Sequence, residues 1–188
     1  MESLWIIIGL VAILVIFVWA TYNSLVTTKV RVDQSLKDID IQLKKRYDLL
    51  PDLVETARKA SGLDEKIFIE VAKARSQAIQ AQETGVPLAE RAKVENQITS
   101  MVRDIKVAVE AYPDIKSHGE LQSLMASVTD IEDKIAYARQ FYNGNVGDYN
   151  TRIKLFPSVL IAGNLGFSEA LYFSAPEEEK KDVKVSFG

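Results

Sequence analysis

Hydrophobic and polar residues divide the chain into one uninterrupted apolar run followed by a series of amphipathic stretches. The apolar run, Leu4–Ala20, has no charged side chain, hydroxyl or amide. As a helix rising ~1.5 Å per residue it reaches ~26 Å, close to the ~30 Å hydrocarbon thickness of a bilayer. The pattern therefore predicts a transmembrane anchor over residues 1–28, with Trp5 at one interface and Trp19 and Tyr22 at the other.

Two other interpretations of the apolar run compete with an anchor. A cleaved secretory signal would begin with basic residues, whereas this sequence begins Met-Glu-Ser, and Val18 and Ala20 would form a poor cleavage site. A buried core helix would carry a polar stripe, and the run has none. Both alternatives are weaker than a membrane span.

The distribution of cations predicts the orientation of the span. Apart from the α-amino group, no cation precedes the run, whereas Lys29, Arg31 and Lys37 follow it closely. Positive residues near a span favour the cytoplasmic side. We expect an N-terminus outside and a C-terminal domain in the cytoplasm.

Beyond the run, apolar residues recur at heptad spacing from Leu25 to Ala60 and predict a helix that continues straight out of the bilayer. Pro51 is expected to kink or restart this helix. Lys29 and Arg46 interrupt its apolar seam. Each is interpreted either as an exposed cation with a partly buried stem or as the partner of an acid across an interface.

Apolar periodicity and helix-breaking residues predict three more helices. Asp64 can cap the first, a loop over 83–87 ends it, Pro113 ends the second, and Ser117 to Glu120 forms a capping box before the third. Approximate bounds are 64–82, 88–112 and 120–156. The predicted fold is all-α: a single transmembrane helix continuing into an elongated antiparallel four-helix bundle over 29–156, with two long and two short helices.

The two long helices need cover near the membrane, where the short pair cannot reach them. One candidate is the apolar segment 157–175, folded over the helices or lying on the lipid; the other is a second copy of the chain. We expect both, followed by a mobile charged tail over 176–188. The predicted oligomer interface comprises Leu25, Val32, Leu36, Ile39, Arg46, Tyr142, Tyr149, Ile153, Phe156, Leu160 and Phe167.

Three Tyr-Asn pairs, at 22–23, 142–143 and 149–150, are expected to meet at the membrane-proximal end of the bundle. There each ring can be buried while the amides join neighbouring helices by hydrogen bonds. Ordinary packing between helices and a contact between subunits both remain open.

Composition argues against catalysis. The sequence has no cysteine and one histidine, His118, which is interpreted as a solvated turn residue. The stretch from Gly144 to Gly147 lacks the lysine of a phosphate loop. A net charge of −3 with interspersed signs offers no basic face for nucleic acid. We expect no enzyme activity, no metal and no cofactor.

Several blocks resemble the LemA family of bacterial membrane proteins: YNSLV at 22–26, DIQLKKRYDLLPDLVETAR at 40–58, EAYPDIK at 110–116, IAYARQFYNGNVGDYNTRIKLFP at 135–157 and GFSEALYF at 166–173. The sequence departs from the family's pattern at Ser117–Leu121 and before the second helix. The resemblance implies a single span, a cytoplasmic helical bundle and no established catalytic activity, and it places members beside genes for membrane proteases.

Two functions are compatible with these features. The first is a non-enzymatic membrane protein that self-associates into a homo-oligomeric scaffold on the cytoplasmic face of the inner membrane and organises or shapes the bilayer. The alternative is an adaptor or regulatory subunit of a membrane protease or signalling complex. The expected partners are the lipid bilayer, further copies of the chain and, in the alternative, another membrane protein.

Overall fold

The computed structural model describes residues 1–61, 65–111 and 119–173, and within these ranges the chain forms four α-helices and no strand. Their bounds are α1 Glu2–Ser61, α2 Glu65–Glu83, α3 Leu88–Ala111 and α4 Gly119–Lys154. A 3₁₀ turn, Ser158–Leu160, follows. The predicted all-α fold with two long and two short helices is confirmed. The expected capping residues Asp64 and Ser117, and the charged tail, lie outside the described residues.

The chain divides into two compact units. Unit 1 comprises Met1–Asp38 and Ala138–Tyr172, and unit 2 comprises Ile39–Tyr137 and Phe173–Gly188. Helices α1 and α4 contribute to both units, whereas α2 and α3 belong to unit 2 alone. The predicted boundaries at residues 28 and 156 therefore do not coincide with the units.

Unit 2 has an apolar core built from one face of each helical segment. Periodic apolar positions produce it, because residues three and four apart share a helix face. In α2 the buried aromatic is Phe68, while its neighbour Ile67 is only half-buried. The fully buried large apolar side chains of this core are Ile39, Leu43, Leu50, Leu53, Ile98, Ile105, Leu121, Ile135 and Phe173.

Helix α1 continues through Pro51, so the helix does not restart there, and the alternative expectation of a kink stays a prediction. Proline has no N–H and leaves the carbonyl of the residue four positions earlier, Tyr47, without its helical donor. The Nε of Arg75, from α2, donates a hydrogen bond to that carbonyl at 2.7 Å. A side chain of the neighbouring helix thus replaces the bond that the proline removes.

In unit 1 the segments of α1 and α4 run antiparallel. Nη1 of Arg152 donates to Oγ of Ser24 at 2.6 Å, and Nζ of Lys29 lies 5.8 Å from the ring centre of Tyr149. Residue numbers therefore rise along one helix as they fall along the other. After α4 a cis Phe156–Pro157 peptide leads into the 3₁₀ turn and then an extended segment.

Candidate functional site

The apolar run is exposed except at Phe17 and Val18, which are half-buried. In α1 the most apolar stretch has a mean hydropathy of 2.8 and none of it is buried by the chain. Trp5 and Trp19 are 72% and 67% exposed, and Tyr22 is also exposed. By length and composition this helix can cross a membrane, since such a surface needs an apolar surrounding.

Asn150 fastens the chain after α4 onto the helices of unit 1. Its Nδ2 donates to the carbonyl of Ala170 at 2.9 Å, and its Oδ1 accepts from the N–H of Ala170 at 2.8 Å. The hydroxyl of Tyr142 donates to the carbonyl of Leu171 at 2.8 Å. An extended backbone cannot satisfy its own polar groups, so these side chains supply the missing partners.

Two further contacts fix the same segment. The ring of Phe167 meets the edge of Tyr22 with 5.7 Å between ring centres, and Lys154 forms an ion pair with Glu169 at 2.8 Å. The segment thus folds over the helices, which is one of the two arrangements expected for it; the other was a position on the lipid surface. We name residues 167–171, held by these contacts, the strap.

Asn150 and Tyr142 bond the strap rather than a neighbouring helix. The expectation that asparagine would join neighbouring helices is wrong for Asn150, whose amide bonds the strap backbone. Burial raises the pKa of Tyr142 and Tyr149, and the negative charge of Asp33 raises both further. Both phenols therefore stay neutral. The hydroxyl of Tyr142 donates to the strap, whereas the ring of Tyr149 lies against Lys29 of α1.

The chain itself covers much of the surface expected to need a partner. Six predicted interface residues are buried: Leu25, Val32, Ile39, Arg46, Tyr142 and Tyr149. The premise that one chain has too little material to cover them is wrong, because its own helices and the strap supply the cover. Leu36, Ile153 and Phe167 are half-buried. A role for the eleven residues in an oligomer stays a prediction.

A group of large apolar side chains in unit 1 remains uncovered just beyond α4. We name it the apolar turn: Leu155, Phe156, Val159 and Leu160. Phe156 is 79% exposed and Leu160 is 62% exposed. Backbone hydrogen bonds from Val159 to Leu155 and from Leu160 to Pro157 give the turn a defined shape.

A polar cavity of about 280 Å³ also lies in unit 1. It is lined by Thr28, Arg31, Asn145, Asp148, Thr151 and Arg152. Asp148 partly offsets the two guanidinium groups, and Arg152 already donates to Ser24. The lining is compatible with water and small polar groups and indicates no particular ligand.

Unit 2 contains a buried ion cluster, formed by Arg46, Tyr47, Glu95, Thr99 and Glu132. Arg46 donates from Nη2 to Glu95 and from Nη1 to Glu132 and Thr99, both at 2.9 Å. Tyr47 donates to Glu95, and Thr99 donates to Glu132 at 3.0 Å. The cluster joins α1, α3 and α4 by bonds that span the core.

Both interpretations of Arg46 require correction. Its side chain is 0% exposed, so it is no exposed cation, and its acid partners come from its own chain rather than from across an oligomer interface. A buried guanidinium needs such partners because an unpaired charge in a core is very costly. Lys29, in contrast, is exposed and lies near Asp33 at 3.9 Å.

The same cluster holds Tyr47 in its neutral form. Burial raises the pKa of Tyr47 strongly, and the negative charge of Glu95 and the hydrogen bond to it raise the pKa further. Sequence reasoning missed Glu95 and Glu132 as partners of Arg46. For Glu95 one signal was present, since it precedes the apolar Ile98 by three residues and therefore shares its buried face.

Within the described residues no group of three or more histidine, cysteine, aspartate or glutamate side chains is placed to hold a metal ion. His118 lies outside these residues. The arrangements that the structure does provide are an uncovered apolar helix, the strap, the apolar turn and the ion cluster. They can bind apolar surroundings and fix helices, and they present no paired nucleophile and base.

Comparison with known proteins gives consistent results. The sequence pattern of the LemA family matches residues 35–187. Magnetosome proteins MamQ 1 and MamQ 2 of Paramagnetospirillum magneticum are each 25% identical over 175 residues, covering 81% of this chain. Magnetosome protein MamQ of Magnetospirillum gryphiswaldense is 23% identical over the same length.

The chain spans 64% of the length of these curated relatives, and none of their names describes an enzymatic activity. With the uncovered apolar helix, the likeness indicates a membrane protein. The family pattern begins within α1 at Ser35 and covers the rest of α1, all of α2 to α4 and the strap. This chain therefore belongs to the LemA family.

Proposed function

We propose that this protein is a non-enzymatic, single-pass membrane scaffold that self-associates on the cytoplasmic face of the bilayer and organises the membrane there. One observation carries the proposal: α1 runs without a break from an apolar run that the chain leaves unburied into the segment that packs against α4 in unit 1. No loop therefore separates the proposed anchor from that packed segment. The chain is similar to magnetosome proteins.

Orientation in the membrane follows from charge. Lys29 and Arg31 are exposed directly after the anchor. This distribution supports a cytoplasmic bundle. Reporter domains fused after Gly188 test it: a reporter that works only in the cytoplasm is expected, and activity only on the outer side would contradict the orientation.

Self-association is supported by apolar side chains that the chain leaves exposed beyond the apolar run. In unit 1 these include Val30 on α1 and Phe141 on α4. Because the anchors confine all copies to one plane with parallel axes, even weak contacts of this kind act at a high local concentration. We place Val30 and Phe141 in the contact between copies.

The mass of the full-length protein in mild detergent and in nanodiscs tests the assembly. We expect a uniform species larger than one chain, and we expect Val30→Asp with Phe141→Asp to convert it to single copies. Ile69→Asp is the matched control, because Ile69 is an exposed apolar residue of α2 in unit 2. A wild-type chain that remains a single copy would contradict self-association and favour the adaptor role.

A further inference from the structure

The end of α4 lies at the level where the anchor leaves the bilayer. Arg152 contacts Ser24, which follows the last residue of the apolar run, Ala20, by about 6 Å along the helix. Since the two helices are antiparallel, α4 runs towards the anchor and the residues after Arg152 continue in that direction. The contact between Phe167 and Tyr22 fixes the returning chain at the same height.

The apolar turn is therefore placed at the boundary between headgroups and hydrocarbon. The polar headgroup layer is about 5–8 Å thick on each side of the hydrocarbon core. Counted at ~1.5 Å per residue from the contact between Arg152 and Ser24, Arg152 comes to the level of this layer, and Phe156, four residues nearer to the anchor, comes to about the level of Ala20, where the apolar run ends. Exposed aromatic and aliphatic side chains at such a depth have an apolar partner already present.

The charges next to the turn fit the same surroundings. Arg152 and Lys154, in the last turn of α4, are both exposed and directly precede the apolar turn. Of the two, only Lys154 forms an ion pair with Glu169. Lys29 and Arg31 of α1, farther from the bilayer, add positive charge that Asp33 and Asp148 partly offset. This arrangement complements the phosphates of anionic headgroups.

We propose that the apolar turn is a second membrane contact: Leu155, Phe156, Val159 and Leu160 insert into the lipid interface beside the anchor, with Arg152 and Lys154 on headgroup phosphates. The contact rests on the anchor of the proposed function. It fixes the rotation and tilt of unit 1, because a helix held at two points on the bilayer cannot turn freely about its own axis.

The absence of cysteine from the sequence allows a direct test. Full-length Leu160→Cys, Ala12→Cys and Gln140→Cys variants carry one environment-sensitive fluorophore each, in vesicles of phosphatidylcholine and phosphatidylglycerol. Part of the lipid bears a nitroxide at a shallow or a deep acyl position. Ala12 is central in the apolar run, whereas Gln140 is exposed on α4, about 21 Å from its end.

We expect the shallow nitroxide to quench the Leu160 label several-fold more than the Gln140 label, and the deep nitroxide to quench the Ala12 label most. A Leu160 label that is quenched no more than the Gln140 label overturns the inference, including the case in which its emission shifts to the blue because another chain covers it. An unquenched Ala12 label instead contradicts the anchor itself, so the two failures are distinguishable.

A second measurement addresses the cations. Charge reversal in Arg152→Glu with Lys154→Glu is expected to reduce shallow quenching of the Leu160 label several-fold in vesicles containing phosphatidylglycerol. Lys134→Glu with Lys106→Glu is the control, since both lysines are exposed and belong to unit 2. Equal quenching in the two double variants would contradict a role for the cations at the headgroups.

Discussion

Units 1 and 2 differ in the partners that their buried polar side chains have. In unit 2, segments of four helices enclose enough volume to remove charged groups from water, and Arg46 is paired there with two carboxylates. In unit 1, two helices and the strap enclose less, and the buried polar side chains that hold the strap are neutral: an amide and a phenol bonded to backbone. The charged side chains that contact the strap or α1 there, Lys154 and Arg152, are exposed.

The difference shows what each unit is suited for. Buried ion pairs have strict geometry and favour one arrangement of helices over others, which is the use best attested for such groups. Neutral bonds to an extended segment tolerate an uncovered apolar surface close by. Unit 2 thus maintains a unique bundle, and unit 1 presents apolar side chains.

The largest expected effect comes from the ion cluster. Arg46→Ala leaves the buried carboxylate of Glu95 unpaired, so the free energy of unfolding should fall by about 3–5 kcal/mol. Chemical denaturation of the full-length protein in detergent measures it. Lys134→Ala, which breaks an exposed ion pair with Asp130, should cost less than ~1 kcal/mol. Similar losses in both variants would remove the contrast between buried and exposed pairs.

The next effect is local to unit 1. Asn150→Ala removes both hydrogen bonds to Ala170 and should lower the free energy of strap opening by about 1–3 kcal/mol. Hydrogen exchange at the Ala170 amide should become faster, while exchange in α2 and α3 stays unchanged. Gln140→Ala, at an exposed position of the same helix, is the control. Unaltered protection of Ala170 would show that Asn150 does not hold the strap.

A smaller effect concerns the proline in α1. Arg75→Ala removes the donor to the Tyr47 carbonyl and should cost about 1.5 kcal/mol. In a Pro51→Ala background residue 51 supplies its own N–H, so the same change should cost less. Lys73→Ala, exposed on α2, is the control. A double-mutant cycle without coupling would refute the compensation between Arg75 and Pro51.

The smallest effect is a pH dependence of unit 2. The folded state raises the pKa of Tyr47 above its ordinary 10.0, so only the unfolded chain ionises there as the solution becomes alkaline. Stability from this group is complete below pH 10 and should fall by about 1 kcal/mol within the next pH unit. Tyr47→Phe lacks this loss, so the difference in free energy of unfolding between wild type and this variant should become smaller above pH 10. A difference that stays constant above pH 10 would contradict the raised pKa of Tyr47.

Much of the fold could be predicted from local sequence. The expected helices 88–112 and 120–156 agree with α3 and α4 to within a few residues, because apolar spacing and breakers act over short distances. Two features of the candidate site could be predicted from the sequence only in part. Arg46 was noticed as a cation in an apolar seam, yet nothing local identified Glu132, which lies 86 residues further along the chain.

The interface prediction shows the same limit. Leu25, Val32 and Tyr149 were expected to need cover from another segment or another copy, because only the lengths of the long and short helices were compared. The strap is extended and has no periodic signature, so its fit onto Tyr142 and Asn150 could not be read from spacing. Burial depends on which distant segment fills the space.

The sequence alone determined the helices, an apolar run long enough to cross a membrane, and membership of the LemA family, since each is written in patterns a few residues to a few tens of residues long. Tertiary structure decided which charges are buried, which tyrosines bind backbone and which apolar side chains remain exposed after α4. These outcomes depend on desolvation, and desolvation exists only once segments far apart in the chain have packed together.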